Sequence, residues 1–111
     1  MDESILTSIK KLLGITEDYQ HFDQDLIMHI NAVLMTLTQI GVGPVGGMLI
    51  TDDSTTWEEF AGEVTDLGGI QSYVYLKVKL LFDPPQTSSV VEAINRQINE
   101  LEWRLNFVVD K

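Results

Sequence analysis

His21, Asp25 and His29 recur every four residues. On one continuous helix that spacing would set two imidazoles and a carboxylate on a single face, within reach of a metal ion. The set requires His21 to be helical, and Asp23 reads as the cap of the helix that follows, which leaves His21 outside it. What remains is an exposed Asp25–His29 pair one turn apart. Gly41-Val-Gly-Pro-Val-Gly46 is a literal G-x-G-x-x-G, the pattern that cradles a dinucleotide pyrophosphate. That chemistry needs a strand before the loop and a helix opening behind it. Here a helical pattern precedes the loop, Pro44 removes one N–H, and no helical pattern opens after Gly46. Acids cluster at Asp52-Asp53 and at Glu58, Glu59 and Glu63, without the central glycine of a calcium loop, and acids beside a helix start answer to the helix dipole alone. The chain has no cysteine, and neither histidine stands in a pattern with a serine nucleophile. No catalytic, cofactor or metal site is expected, and the chain does not read as an enzyme.

The elements that would carry a function are helical. Asp2 is a plausible cap for a first helix over Ser4–Leu13, with Ile5, Ile9, Leu12 and Leu13 as its buried stripe and Gly14 as its stop. Thr16 to His21 is a polar linker. A second helix is expected over Asp23–Ile40, capped by Asp23, with a Phe22–Ile27 staple and an inner face of Leu26, Ile30, Val33, Leu34 and Leu37. Met28 and Met35 fall partly off that face. Gly41 to Gly47 reads as a flexible loop and Met48 to Thr51 as a short extended segment. A short helix over Thr56–Glu63 follows, signalled by capping-box spacing at Thr55–Glu58 or Thr56–Glu59, with Trp57, Phe60 and Ala61 turned inward.

The stretch from Tyr73 up to Asp83-Pro84-Pro85 is apolar nearly all round, with Lys77 and Lys79 as its only charges, and reads as a buried helix over Ile70–Phe82. Asp83-Pro84-Pro85 ends it, because a residue before proline leaves the helical region and proline donates no N–H. Ser89 and Glu92 have capping-box spacing at the start of a last helix over Val90–Phe107. Its stripe is Val91, Ile94, Ile98, Leu101 and Leu105. The fold class is all-α, a small bundle of four to five helices, in one domain spanning 1–111.

Composition narrows the partners. Seventeen acidic against seven basic residues give a net charge of -10, the opposite of what phosphate neutralisation requires, so direct DNA binding is not expected. An apolar content of 44% supports a packed core, with roughly 65% of the unfolded surface buried at this chain length. The acidic start, Met1-Asp-Glu-Ser4, is unlike a secretory signal, no stretch approaches the length of a membrane span, and the lack of cysteine fits a reducing cytosol. The chain reads as soluble and, as synthesised, intracellular.

Tyr73-Val-Tyr-Leu-Lys-Val-Lys-Leu-Leu-Phe-Asp-Pro-Pro85, then Ser88-Ser-Val-Val-Glu-Ala93 and Glu100-Leu-Glu-Trp-Arg-Leu105, carry a resemblance. So do Ile9-Lys-Lys-Leu-Leu-Gly-Ile15, Asp25-Leu-Ile-Met-His-Ile-Asn31 and Thr36-Leu-Thr-Gln-Ile-Gly-Val-Gly-Pro44 upstream. Together they resemble the small head-tail connector proteins of long-tailed bacteriophages, also called head-completion or adaptor proteins. Met48 to Gly69 lies outside the resemblance. It implies a helical virion protein, made in the host cytoplasm, that assembles as a ring of about a dozen copies beneath the portal. It further implies a seat for the downstream stopper or tail-completion protein, and a conduit through which DNA passes without specific binding. Under that reading the acid excess would form a channel wall that repels DNA; the plainer reading is a solvated surface. The alternative from another class is a small acidic helical phage protein that binds and inhibits a host protein.

Two segments are candidate interfaces. Val42, Val45, Met48, Leu49 and Ile50 make the loop too apolar for a purely solvated tip. Trp103 lies opposite the stripe of the last helix, Arg104 beside it offers a polar contact, and Phe107, Val108 and Val109 form an apolar end.

Overall fold

The computed structural model describes residues 3–62 and 66–109, with side chains described as far as Asn106. Ser4 starts α1 (Ile5–Leu12), because its hydroxyl accepts a 3.0 Å hydrogen bond from the Thr7 amide. The expected cap, Asp2, lies outside the described residues. The inward face of α1 is rotated from the expected stripe. Leu6 and Lys10 are buried with Ile5 and Ile9, whereas Leu12 is 53% exposed. Lys10 is stabilised on this face by two partners. Its ammonium forms a 2.9 Å ion pair with Asp23 and donates to the Glu17 carbonyl at 3.0 Å. A buried charge is tolerated only when paired in this way.

That pairing also changes the start of α2 (Asp23–Gln39). Asp23 is its first residue and not its cap, and no side chain caps Phe22 before it. The expected inner face, Leu26 through Leu37, is fully buried, and Met28 and Met35 are exposed. Thr56 and Glu59 close a complete capping box ahead of α3 (Trp57–Ala61), and Trp57, Phe60 and Ala61 are buried as their spacing predicts.

Asp66 accepts from the Gly69 amide at 3.0 Å and starts α4 (Leu67–Phe82) three residues ahead of the expected Ile70. Only one side of α4 is fully buried, through Ile70, Tyr73, Val74 and Val78, and Leu81 near its end is exposed. The double proline turns the chain into α5 (Ser88–Val109). This helix begins at Ser88, with the Val91 amide bonded to the Thr87 carbonyl, so Ser89 sits inside the first turn and does not cap it. The stripe Ile94, Ile98, Leu101 and Leu105 is buried, and Val91 is half-buried.

Helix α4 is the hub on which α1, α2, α3 and α5 all pack, and one contiguous core draws on every helix. Among the described residues no strand forms, and a single antiparallel bridge joins Ser4 to Thr56. The α1–α3 junction is further held by the Trp57 indole, which donates to the buried Ser8 hydroxyl at 2.6 Å.

Candidate assembly interface

The glycine loop is anchored at both ends, around Gly41–Gly43 and at Ile50. Gly41 leaves α2 at φ 97°, a left-handed conformation that glycine adopts without strain. The next amide, Val42, returns to the Leu37 carbonyl at 2.9 Å. Val42 is then fully buried in the core. At Gly43 the backbone passes against the ring of Phe60, where a Cβ would stand 2.7 Å from Cζ. The Gly47 amide closes a turn onto the Pro44 carbonyl at 2.9 Å. Beyond it, Asn31 of α2 grips Ile50 from both sides. Its amide group donates to the Ile50 carbonyl at 3.0 Å, and its oxygen accepts from the Ile50 N–H at 2.8 Å. The G-x-G-x-x-G spacing thus has a packing explanation at its second glycine, and the loop follows a helix, where a dinucleotide site would need a strand.

The five loop candidates therefore divide. Val42 and Ile50 are taken up by intramolecular packing, and Met48 is partly buried against the core. Val45 at the tip is 104% exposed, and Leu49 is 54% exposed. A partner meeting this folded loop would touch Val45 and Leu49.

The end of α5 comes to the same region. Asn106 donates from its side chain to the Ile40 carbonyl at 3.1 Å, so the last turns of α5 sit beside the point where the loop departs. One turn earlier, Glu102 accepts a 2.6 Å hydrogen bond from the Tyr73 hydroxyl. Burial, and then this bond to a carboxylate, push the Tyr73 hydroxyl well above the ordinary tyrosine range. Trp103 is 69% exposed, and Arg104 is exposed with Glu100 at 3.7 Å. Phe107, Val108 and Val109 continue the helical backbone, and their side chains lie outside the described residues.

Helical geometry sorts the outward residues of α5. Glu92, Arg96, Asn99 and Trp103 are spaced four, three and four apart, opposite the buried stripe, and all four are exposed. Of the spaced set His21, Asp25 and His29, Asp25 and His29 stand one turn apart on α2, and His21 falls outside the helix. His21 lies in the turn before α2 and packs edge-on against Phe22 at 5.0 Å, and His29 faces the Phe82 ring at 6.5 Å. Among the described residues no group of three His, Cys, Asp or Glu is placed to hold a metal ion.

Charge is distributed unevenly, a feature legible in the sequence but outside the expectations above. Residues 1–66 carry twelve acidic and two basic side chains, and residues 67–111 carry five of each. The net charge of -10 therefore lies in the first part of the chain. In the fold that part supplies an acidic flank around the start of α1 and α3. Glu3, Glu17 and Asp53 line one shallow cleft there of about 540 Å³. Its lysine, Lys11, is paired to Glu3 at 2.6 Å, and that hydrogen bond raises its pKa. On the same flank, hydrogen bonds from Ser54 hold the Asp52 carboxyl below the usual range.

No helix among the described residues is long and apolar enough to cross a membrane. A family model described as phage connector protein matches residues 5–111. No curated protein and no solved structure matches the chain.

Proposed function

The chain belongs to the phage connector protein family, and from that premise we propose that it is a head-tail connector that multimerises as a ring under the portal. The observation that supports this most is a match running from the first turn of α1 to the end of the chain, and so across the residues outside the original resemblance. In this reading the ring completes the filled head, seats the downstream stopper or tail-completion protein, and leaves a central passage for DNA. Its net charge of -10 suits that passage, because a wall without clustered cations does not retain a moving polyanion. The work is structural and requires no reaction. The protein would be made in the host cytoplasm and end at the head-tail interface of the virion.

The surfaces assigned to assembly are the Val45–Leu49 tip and the outward side of α5 around Trp103 and Arg104, with Phe107, Val108 and Val109 extending it. Exposed apolar side chains held on anchored backbone favour docking, since little ordering entropy is lost on contact. The test is genetic and structural. Phage unable to make this protein should accumulate DNA-filled heads without tails, and adding the purified protein should restore tail attachment. Normal, tailed particles in its absence would refute the assignment.

A further inference from the structure

The ring reading leaves open which surfaces of neighbouring copies meet, and the charge distribution narrows the choice. A closed ring needs a heterologous contact, in which two different surfaces of the same chain are complementary. Two acidic flanks cannot face each other without like-charge repulsion. The flank also has no cation of its own to offer, since Lys10 is buried against Asp23 and Lys11 is engaged by Glu3. The remaining described cations belong to α4 and α5. Lys79 pairs with Asp83 within α4 and its cap, and Lys77 lies over the Tyr73 ring. Arg96 and Arg104 on α5 are exposed, and Arg96 has no ion-pair partner among the described residues.

Position agrees with charge. Helix α5 packs mainly on α4, so its row of Glu92, Arg96, Asn99 and Trp103 is left outward. That row has one large aromatic residue and one arginine, with Arg104 next to Trp103 in the chain, and both residue types are enriched in contacts that dominate an interface. Its opposite number carries Asp53, in one cleft with Glu3 and Glu17, and Glu58 in the first turn of α3, both exposed.

Resting on the ring reading, we propose that neighbouring copies join head-to-tail, with the outward row of α5 of one copy seated on the acidic α1–α3 flank of the next. Trp103 supplies the apolar anchor, and Arg96 and Arg104 face the neighbour's Asp53 and Glu58. The occupant of the α5 row is thus a second copy of this chain, and the portal engages a different surface.

Charge reversal tests this with a built-in control. Arg96→Glu with Arg104→Glu should prevent ring formation on portal-bearing heads, and so should Asp53→Lys with Glu58→Lys. All four substitutions in one chain should restore rings, because the Arg96 and Arg104 contacts with Asp53 and Glu58 are then reversed on both sides. Circular dichroism on each variant establishes that it folds, and these positions are exposed. If either folded double variant assembles as well as the wild type, or the quadruple variant fails while both doubles fold, the proposed contact is overturned. If the wild type itself forms no ring on these heads, the underlying connector reading falls instead. The two failures are distinct.

Discussion

Asn106 of α5 donates its side-chain amide to the carbonyl of Ile40 at 3.1 Å, joining the end of the last helix to the end of α2. Ile40 is the C-cap of α2, where carbonyls lack helical partners, so the contact both caps one helix and fixes another. It brings the two candidate interface segments, far apart in sequence, to one region of the fold.

Asn106→Ala should therefore act on both segments at once. The loss of stability should be modest, about 1 kcal/mol, as for an ordinary hydrogen bond at an exposed site. Hydrogen exchange should rise together over the start of the loop and the last turns of α5. Increased exchange in α5 alone would mean that the loop is held independently.

The glycine loop gives a sharper test of why its glycines are there. Gly43→Ala places a Cβ 2.7 Å from the Phe60 ring and forces alanine to φ 98°. Strain of this kind costs about 1–3 kcal/mol, so the melting temperature should fall by several degrees for a domain of this size. Addition of NAD should change neither protein. Saturable NAD binding that is lost in the variant would contradict the packing explanation.

Tyr73 sets an alkaline limit on stability. Its folded pKa is raised, by burial first and then by Glu102, so its contribution is complete below the unfolded value near ~10. It is lost as pH rises through the raised folded value. Tyr73→Phe removes the 2.6 Å bond to Glu102 and should destabilise by roughly 1.5–3 kcal/mol at neutral pH. The gap between wild type and variant should narrow above pH ~10 in denaturant titrations. A gap that stays constant over that range would show that Tyr73 is not the titrating group.

These residues also indicate how far sequence reasoning reaches. Local rules were sufficient where local interactions decide the outcome. The inner face of α2 and the Thr56–Glu59 capping box follow from periodicity and spacing alone. They failed where a distant partner intervenes. Asp23 has the chemistry of a cap, but its carboxylate pairs with Lys10, which is buried on the inward face of α1 while Leu12 faces out. A local rule also failed at Ser89, which has capping-box spacing with Glu92 although α5 starts one residue before it. The loop's anchors at Asn31 and against the Phe60 ring are not readable from local spacing. Burial of Val42 and Ile50 follows from those anchors. The concentration of negative charge in residues 1–66 required only counting along the chain.

Trp103 and the end of α5 separate folding from assembly. Leu105 is buried and Asn106 is bonded to α2, so the helix is held up to that point by its own subunit. Trp103→Ala should change stability by no more than about 1 kcal/mol, since the side chain is largely exposed. It should weaken assembly by about 2 kcal/mol or more if it anchors the contact. Removing Phe107 to Lys111 should likewise leave the melting temperature nearly unchanged and abolish attachment to tail-less heads. Unfolding of the shortened chain would place that segment in the core.

The most direct test of the connector account is the mass and symmetry of the complex formed with portal-bearing heads or isolated portal. Native mass measurement and electron-microscopic averaging should show a closed ring of about a dozen copies bound to the portal on its tail-facing side. Light scattering that finds only monomers or dimers, together with a portal that remains bare at saturating protein, would contradict it.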